Sequence, residues 1–161
     1  MKTSEEYHAL MNAFEQSART WQGVWSAMSK AEHHGLAAFA EYEAHERQGY
    51  AEQVAQHLAE HEQQVMFGSI KAPVHSYESE MTAMDSVCMA DEQIMVAAKA
   101  VHAAAVDAGE RTFFLDKLMK KMAHERAEVA EVKSLLAGVS TSEEMDMLNR
   151  MMMEKYTVHH G

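Results

Sequence analysis

Apolar residues recur three, four and seven positions apart along four long stretches of the chain, which is the spacing of one face of an α-helix. In the first stretch the face is Leu10, Phe14, Trp21, Val24, Trp25 and Met28, following a cap at Thr3 or Ser4 with Glu5 and Glu6 on the first turn. Phe39, Tyr50, Val54 and Leu58 mark the second; Met84, Val87, Cys88, Met95, Ala98, Val101 and His102 the third; Phe114, Leu118, Met122, Val129, Val132 and Leu136 the fourth. A short fifth segment, MDMLNRMMMEKY, follows the capping run Thr141-Ser142-Glu143-Glu144. The pattern predicts helices over about 4–32, 36–64, 79–107, 110–137 and 142–156 within one domain. His33-His34-Gly35, Ala108-Gly109 and Gly138 read as breaks, glycine being the usual residue where a helix stops.

Between the second and third helices the periodicity lapses from Val65 to Ser79, around Pro73 and the words FGSIKAPV. Antiparallel neighbours need only a short turn. A stretch this long instead crosses the length of a bundle and leaves the second and third helices parallel, an all-α four-helix arrangement with one long crossover.

Composition agrees with an all-helical chain: 161 residues include one proline and seven glycines. No apolar run reaches the ~20 residues needed to span a membrane, and MKTSEEYHAL lacks the apolar core of a signal peptide. Cys88 is the sole cysteine, which excludes an internal disulfide and suits a reducing cytoplasm. A net charge of −11 disfavours nucleic acid and favours cations as partners. Fifteen methionines and eleven histidines are unusual, and methionine at helical spacing reads first as core filler, then as a soft-metal ligand.

Candidate chemistry enters where ionisable residues interrupt the apolar faces. Glu43, Glu46 and Arg47 fall on or beside the second line, Glu92 lies near the third, and Glu125 interrupts the fourth. Glu15 borders the first, where it also reads as a solvated glutamate at the stripe's edge. Charged groups in such places are neutralised by a metal or a fixed counter-charge.

The segment Glu46-Arg47-Gln48-Gly49-Tyr50-Ala51-Glu52-Gln53-Val54 resembles the ferritin second-helix pattern E-E-x-x-H-A-E-x-L, and Ile70-Lys71-Ala72-Pro73 resembles the I-x-x-P that ends the ferritin crossover. The resemblance extends over nearly the whole chain. It implies a ferritin-like fold with a short fifth helix, and in it Glu15 and Glu92 match the iron-ligating glutamates of the first and third helices. Glu125 and Glu128 match the fourth-helix pair, which is Gln-x-x-Glu in bacterial ferritins and Glu-x-x-His in bacterioferritins, and Glu46 matches the extra glutamate of bacterial members. The metal set implied is therefore Glu15, Glu46, Glu92, Glu125 and Glu128.

Two slots depart from the family: Arg47 replaces the bridging glutamate and Tyr50 the ligating histidine. Arginine stays cationic at every relevant pH, so Arg47 is expected to pair with Glu15 or Glu92 and stand in for the metals, as a basic residue does in the light-chain type of animal ferritin. A single metal on Glu125, Glu128 and Glu46 is the smaller site such a change leaves. Tyr50 reads as a packing residue, or as a ligand or electron donor.

Three functions compete on these grounds. One is an iron-storing or iron-handling subunit with an impaired di-iron oxidase centre, handling ferrous and ferric iron in a homo-oligomeric 24-subunit shell or in co-assembly with an active ferritin. The second is an active divergent ferroxidase using Glu15, Glu46, Glu92, Glu125 and Glu128. The third is a non-catalytic cage for copper or another soft metal. Gln48, in the slot where bacterioferritins carry the haem-binding methionine, argues against haem. Glu52, Glu60 and Glu62 are candidates for an inner, mineral-facing surface. His57-Leu58-Ala59-Glu60-His61 matches the H-x-x-E-H string of zinc hydrolases, here read as a chance string in a glutamate-rich helix end. Met151-Met152-Met153 reads as packing about a symmetry axis, and the fifth helix as too apolar to stand exposed on a monomer.

Overall fold

A computed structural model describes residues 1–157; His159 and His160 lie outside them. The order is α1 (Ser4–Lys30), α2 (His34–Glu60), α3 (Glu80–Ala108), α4 (Phe113–Ala137) and α5 (Ser142–Thr157), with no strand among the described residues. It is a four-helix bundle with a fifth helix laid against α2.

The segment 61–79 carries no regular secondary structure and runs beside α1 in the same direction. Met66 N–H donates to His8 Nε2, Lys71 N–H to Gln16 Oε1 at 2.7 Å, and the Val74 carbonyl reaches Gly23. A methyl on Gly23 would stand 2.2 Å from that oxygen, so only glycine lets the strap lie this close. Eight extended residues cover ~26 Å, and the fifteen helical residues from His8 to Gly23 rise ~22 Å. The strap therefore climbs the length of α1 and returns the chain to the end where α2 began, so α2 and α3 run parallel. Thr3 Oγ1 holds Glu110 at the lower end, and His33 meets Glu80 at the upper end at 2.7 Å.

Several helix ends differ from the sequence pattern; α4, for instance, starts at Phe113. The α2 helix stops at Glu60, where Glu62 adopts a left-handed backbone (φ 60°), and Gly35 is not a stop signal. The turn after α1 is made by Glu32, at φ 62°, and Gly35 lies in the first turn of α2. There Asn149 of α5 packs so closely that a methyl on Gly35 would sit 2.0 Å from its carbonyl oxygen. Asn149 Oδ1 accepts from the Gly35 and Leu36 N–H groups at 3.0 Å each, capping α2 from another helix.

The apolar core is in two parts. The upper one gathers Trp21, Met28, Leu36, Phe39, Met84, Val87, Val132 and Leu136 with Leu148, Met152 and Tyr156 of α5. The lower one gathers Leu10, Phe14, Tyr50, Val54, Leu58, Ile94, Val101, Leu118 and Met122. Between them lie the buried polar side chains of Ser17, Glu43, Arg47, Asp91 and Glu125, a layer at mid-height. No helix is long and apolar enough to cross a membrane.

Candidate metal centre

Arg47 lies at the centre of the polar layer with no solvent exposure. Its Nε donates to Asp91 Oδ1 at 2.8 Å and its Nη2 to Asp91 Oδ2 at 2.7 Å. Its Nη1 reaches Glu43 Oε2 at 2.5 Å and the Glu43 carbonyl at 3.1 Å. Ser17 Oγ donates to Asp91 Oδ1 at 2.8 Å, and the Trp21 ring lies 5.1 Å below the guanidinium carbon. A planar fork on a carboxylate is the geometry in which arginine is held best.

This corrects the expected pairing of Arg47 with Glu15 or Glu92. Glu92 is exposed on the outside of α3 and binds Arg126 at 2.8 Å. Asp91, one residue earlier, takes the inward slot because it shares the phase of Met84, Val87, Ile94 and Ala98. On α1 the inward slot belongs to Ser17, in phase with Leu10, Phe14, Trp21 and Val24. Glu15 is half-buried at the edge of that face; one of its oxygens has no partner, and burial raises its carboxyl above the ordinary range.

Beside the arginine, α2 and α4 bring three carboxylates together. One oxygen from each of Glu43, Glu125 and Glu128 lies within 4.8 Å of the other two; among the described residues this is the one group of three or more possible ligands close enough to share an ion. Each carboxylate is steadied by a neighbour. Arg47 holds Glu43 Oε2, Tyr50 Oη donates to Glu125 Oε1 at 3.0 Å, and Tyr156 Oη donates to Glu128 Oε2 at 3.1 Å. Glu43 Oε1 and Glu125 Oε2 are buried with no partner. Glu128 Oε1 meets His124 Nε2 at 2.9 Å, on an imidazole that is otherwise exposed. Glu46 sits at the margin, 3.5 Å from Tyr50 Oη.

The charge in this layer does not balance. Glu43, Asp91 and Glu125 are buried carboxylates and Arg47 is the buried cation opposite them. Burial pushes the Glu43 carboxyl up to about 9, against the pull of Arg47 and with the help of Glu125. Glu125 is also raised, chiefly by burial. A proton between Glu43 and Glu125, or a cation in its place, satisfies both bare oxygens. Burial, and next the nearby carboxylates, raises the phenols of Tyr42, Tyr50 and Tyr156, so all three stay protonated, Tyr50 and Tyr156 as donors.

Asp91, Ser17 and Tyr156 were not among the residues picked out from the sequence, and Glu43 was placed on the buried line without a role as ligand. The first two had a signal, the phase of their stripes. Tyr156 had none, because its position depends on where α5 docks.

The remaining sequence signals resolve as follows. His57 stacks on Phe114 at 4.0 Å and lies 4.4 Å from His61, outside any group of three ligands among the described residues. On α5, Leu148 and Met152 are buried in the chain's own core, whereas Met147, Met151 and Met153 face outward.

No protein-family model and no curated protein matches the chain. Solved structures do. A closed form of the Archaeoglobus fulgidus ferritin made by site-directed mutagenesis superposes with a TM-score of 0.87 at 14% identity, over 94% of each chain. A humanized archaeal ferritin gives 0.87 at 15%, again over 94% of each. An open-pore ferritin from the hyperthermophilic archaeon Archaeoglobus fulgidus gives 0.85 at 15%, over 94% of this chain and 96% of that one. This is a ferritin fold. At these identities the likeness to ferritin carries the architecture alone.

Proposed function

We propose that the chain is a ferritin-type subunit that handles and stores iron in a reducing cytoplasm, with its di-iron oxidase position closed. The observation that carries this reading is the fully buried Arg47, held at once by Asp91 and Glu43. Iron itself enters from the likeness to proteins named as ferritins.

A pair of metals does not fit the residues around Arg47. A guanidinium ~5 Å from a divalent ion repels it by about 6–7 kcal/mol at an effective dielectric of ~20. The α1 slot holds a serine and the Asp91 carboxylate is spent on the arginine. The fork on Asp91 also opposes a swing of Arg47 out of the layer. Oxidation of ferrous iron then depends on exposed carboxylates, with Glu52, Glu60 and Glu62 as candidates, or on active companion subunits. Met147, Met151 and Met153, left outside the core of α5, support burial between subunits of a closed shell, of 24 copies by the resemblance to ferritins. The all-oxygen character of the carboxylate group weighs against a soft-metal cage.

The test is anaerobic ferrous titration with metal counting, followed by admission of oxygen. None or one tight iron per chain, with slow oxidation by the protein alone, is expected. Two tight irons per chain with fast oxidation overturn the reading in favour of an active ferroxidase, and preferential uptake of Cu(I) overturns it in favour of the soft-metal cage.

A further inference from the structure

We propose that Glu43, Glu125 and Glu128 form a site for one hard divalent cation, displaced from the di-iron position and held in place by the two residues that replaced the family's ligands. The inference rests on the ferritin-type reading for its physiological metal, ferrous or manganous ion, and on geometry for everything else.

Three observations meet here. The first is the cluster itself, three carboxylate oxygens within 4.8 Å of one another on α2 and α4. A hard cation keeps its oxygen donors at about 2.0–2.6 Å, so opposite donors on one ion stand roughly 4–5 Å apart. The second is the pair of bare oxygens, Glu43 Oε1 and Glu125 Oε2, on side chains with 0% and 3% of their surface exposed. Buried acceptors without partners are rare and costly in a folded chain, and these two belong to carboxylates that share the cluster.

The third is the way each ligand is steadied. Arg47 takes one oxygen of Glu43, Tyr50 one of Glu125 and Tyr156 one of Glu128. That leaves the second oxygens of Glu43 and Glu125 for an ion, while the second oxygen of Glu128 meets the exposed His124, which an ion would displace. Donors of this kind, bound to the ligand and not to the metal, fix the orientation of first-contact groups and tune their basicity. The substitutions that close the oxidase position thus serve a neighbouring one. The inward positions of α1 and α3 take no part, since Ser17 and Asp91 are engaged with one another and with Arg47. Glu43, which has no counterpart in the family's ligand pattern, supplies the third carboxylate.

A cavity of about 550 Å³ between α2 and α4, lined by Glu46, Tyr50, Lys120, Lys121, His124 and Glu125, meets the cluster at Glu125. Two lysines on its wall offset its carboxylates. Retention therefore comes from the three ligands and not from a cation-attracting mouth.

The probe is Mn2+ added to chelator-treated full-length protein, followed by electron paramagnetic resonance and calorimetry. One saturable Mn2+ per chain is expected. Glu128→Gln, which leaves Arg47 untouched, should weaken it at least tenfold, Glu43→Gln at least as much, and Tyr156→Phe several-fold; Glu92→Gln should leave it unchanged. Circular dichroism of each variant separates loss of the site from loss of the fold. No saturable Mn2+, or binding unmoved by both Glu43→Gln and Glu128→Gln in folded variants, overturns the site. Iron loading with normal assembly in that event leaves the ferritin-type reading standing, whereas Mn2+ binding in a chain that neither assembles nor loads iron keeps the site and removes that reading.

Discussion

Arg47 and Asp91 meet through two parallel hydrogen bonds, at 2.8 and 2.7 Å, across the middle of the bundle. The pair joins α2 to α3 where the two apolar cores leave off, and the fork fixes the relative height of the two helices. Lysine, with a single charged point, cannot reproduce it.

Arg47→Ala should therefore lower stability by roughly 3–5 kcal/mol, the usual effect of stripping one partner from a buried ion pair. Arg47→Lys should fall between that variant and the parent. Urea denaturation in the presence of a chelator measures both. Repeating the Arg47→Ala experiment with excess Mn2+ should recover part of the loss, because an ion that binds only the folded state stabilises it.

Restoring an oxidase centre takes more than the two obvious changes. Arg47→Glu with Tyr50→His returns the second-helix ligands but leaves serine on α1, so it should oxidise ferrous iron slowly. Adding Ser17→Glu supplies a carboxylate at the same height, and the triple variant should bind two irons per chain and oxidise them much faster. Stopped-flow oxidation with oxygen consumption decides; equal rates for the double and triple variants would show that position 17 is not part of the centre.

The seat of α5 on α2 should be sensitive at two positions. Gly35→Ala places a methyl 2.0 Å from the Asn149 carbonyl oxygen. Forced overpacking of this kind costs typically 1–3 kcal/mol, and here relief requires α5 to move. Asn149→Ala removes the cap on the first N–H groups of α2, worth about 1 kcal/mol. Amide exchange over 142–157 should accelerate in both variants, and more in Gly35→Ala.

His57 gives the lower end of the bundle an acid sensitivity. Burial, and next the positive field of His61, holds its imidazole below the ordinary value of 6.5. The unfolded chain therefore takes up the proton more readily than the folded one. The stabilising contribution of neutral His57 is present above pH 6.5 and is lost as the pH falls through its folded value. Denaturation midpoints between pH 7.5 and 5.5 should decline less steeply in His57→Gln than in the parent, and identical slopes would remove the residue from the account.

The helices, their order and the crossover were readable because helical spacing and a long aperiodic stretch are local signals that burial enforces. The site was readable only in part. Glu125 shares the phase of its stripe and lies in the layer, and Tyr50 packs in the lower core and reaches Glu125 with its hydroxyl. Glu92 and Glu15, by contrast, are off phase by a residue or two and were drawn in by their nearness to the apolar faces and by motif matching. Shifting one position along a helix turns a side chain by ~100°, enough to move a carboxylate from Asp91's place to the solvent. Gly35 misled for a different reason. A close approach by Asn149 and a helix stop ask for the same residue, and nothing local distinguishes them.

The polar layer also sets how the molecule comes apart. Apolar contact propagates within the upper cluster and within the lower one, and the two communicate through five hydrogen-bonding side chains. Salt screens those links poorly, but a change in their protonation or in a bound cation alters them at once. The bundle is thus two stacked cooperative units with an ionic coupling between them. Under mild denaturant the strap-bound lower half and the half clasped by α5 should open as separate events when the layer is bare, and as one when an ion bridges α2 to α4.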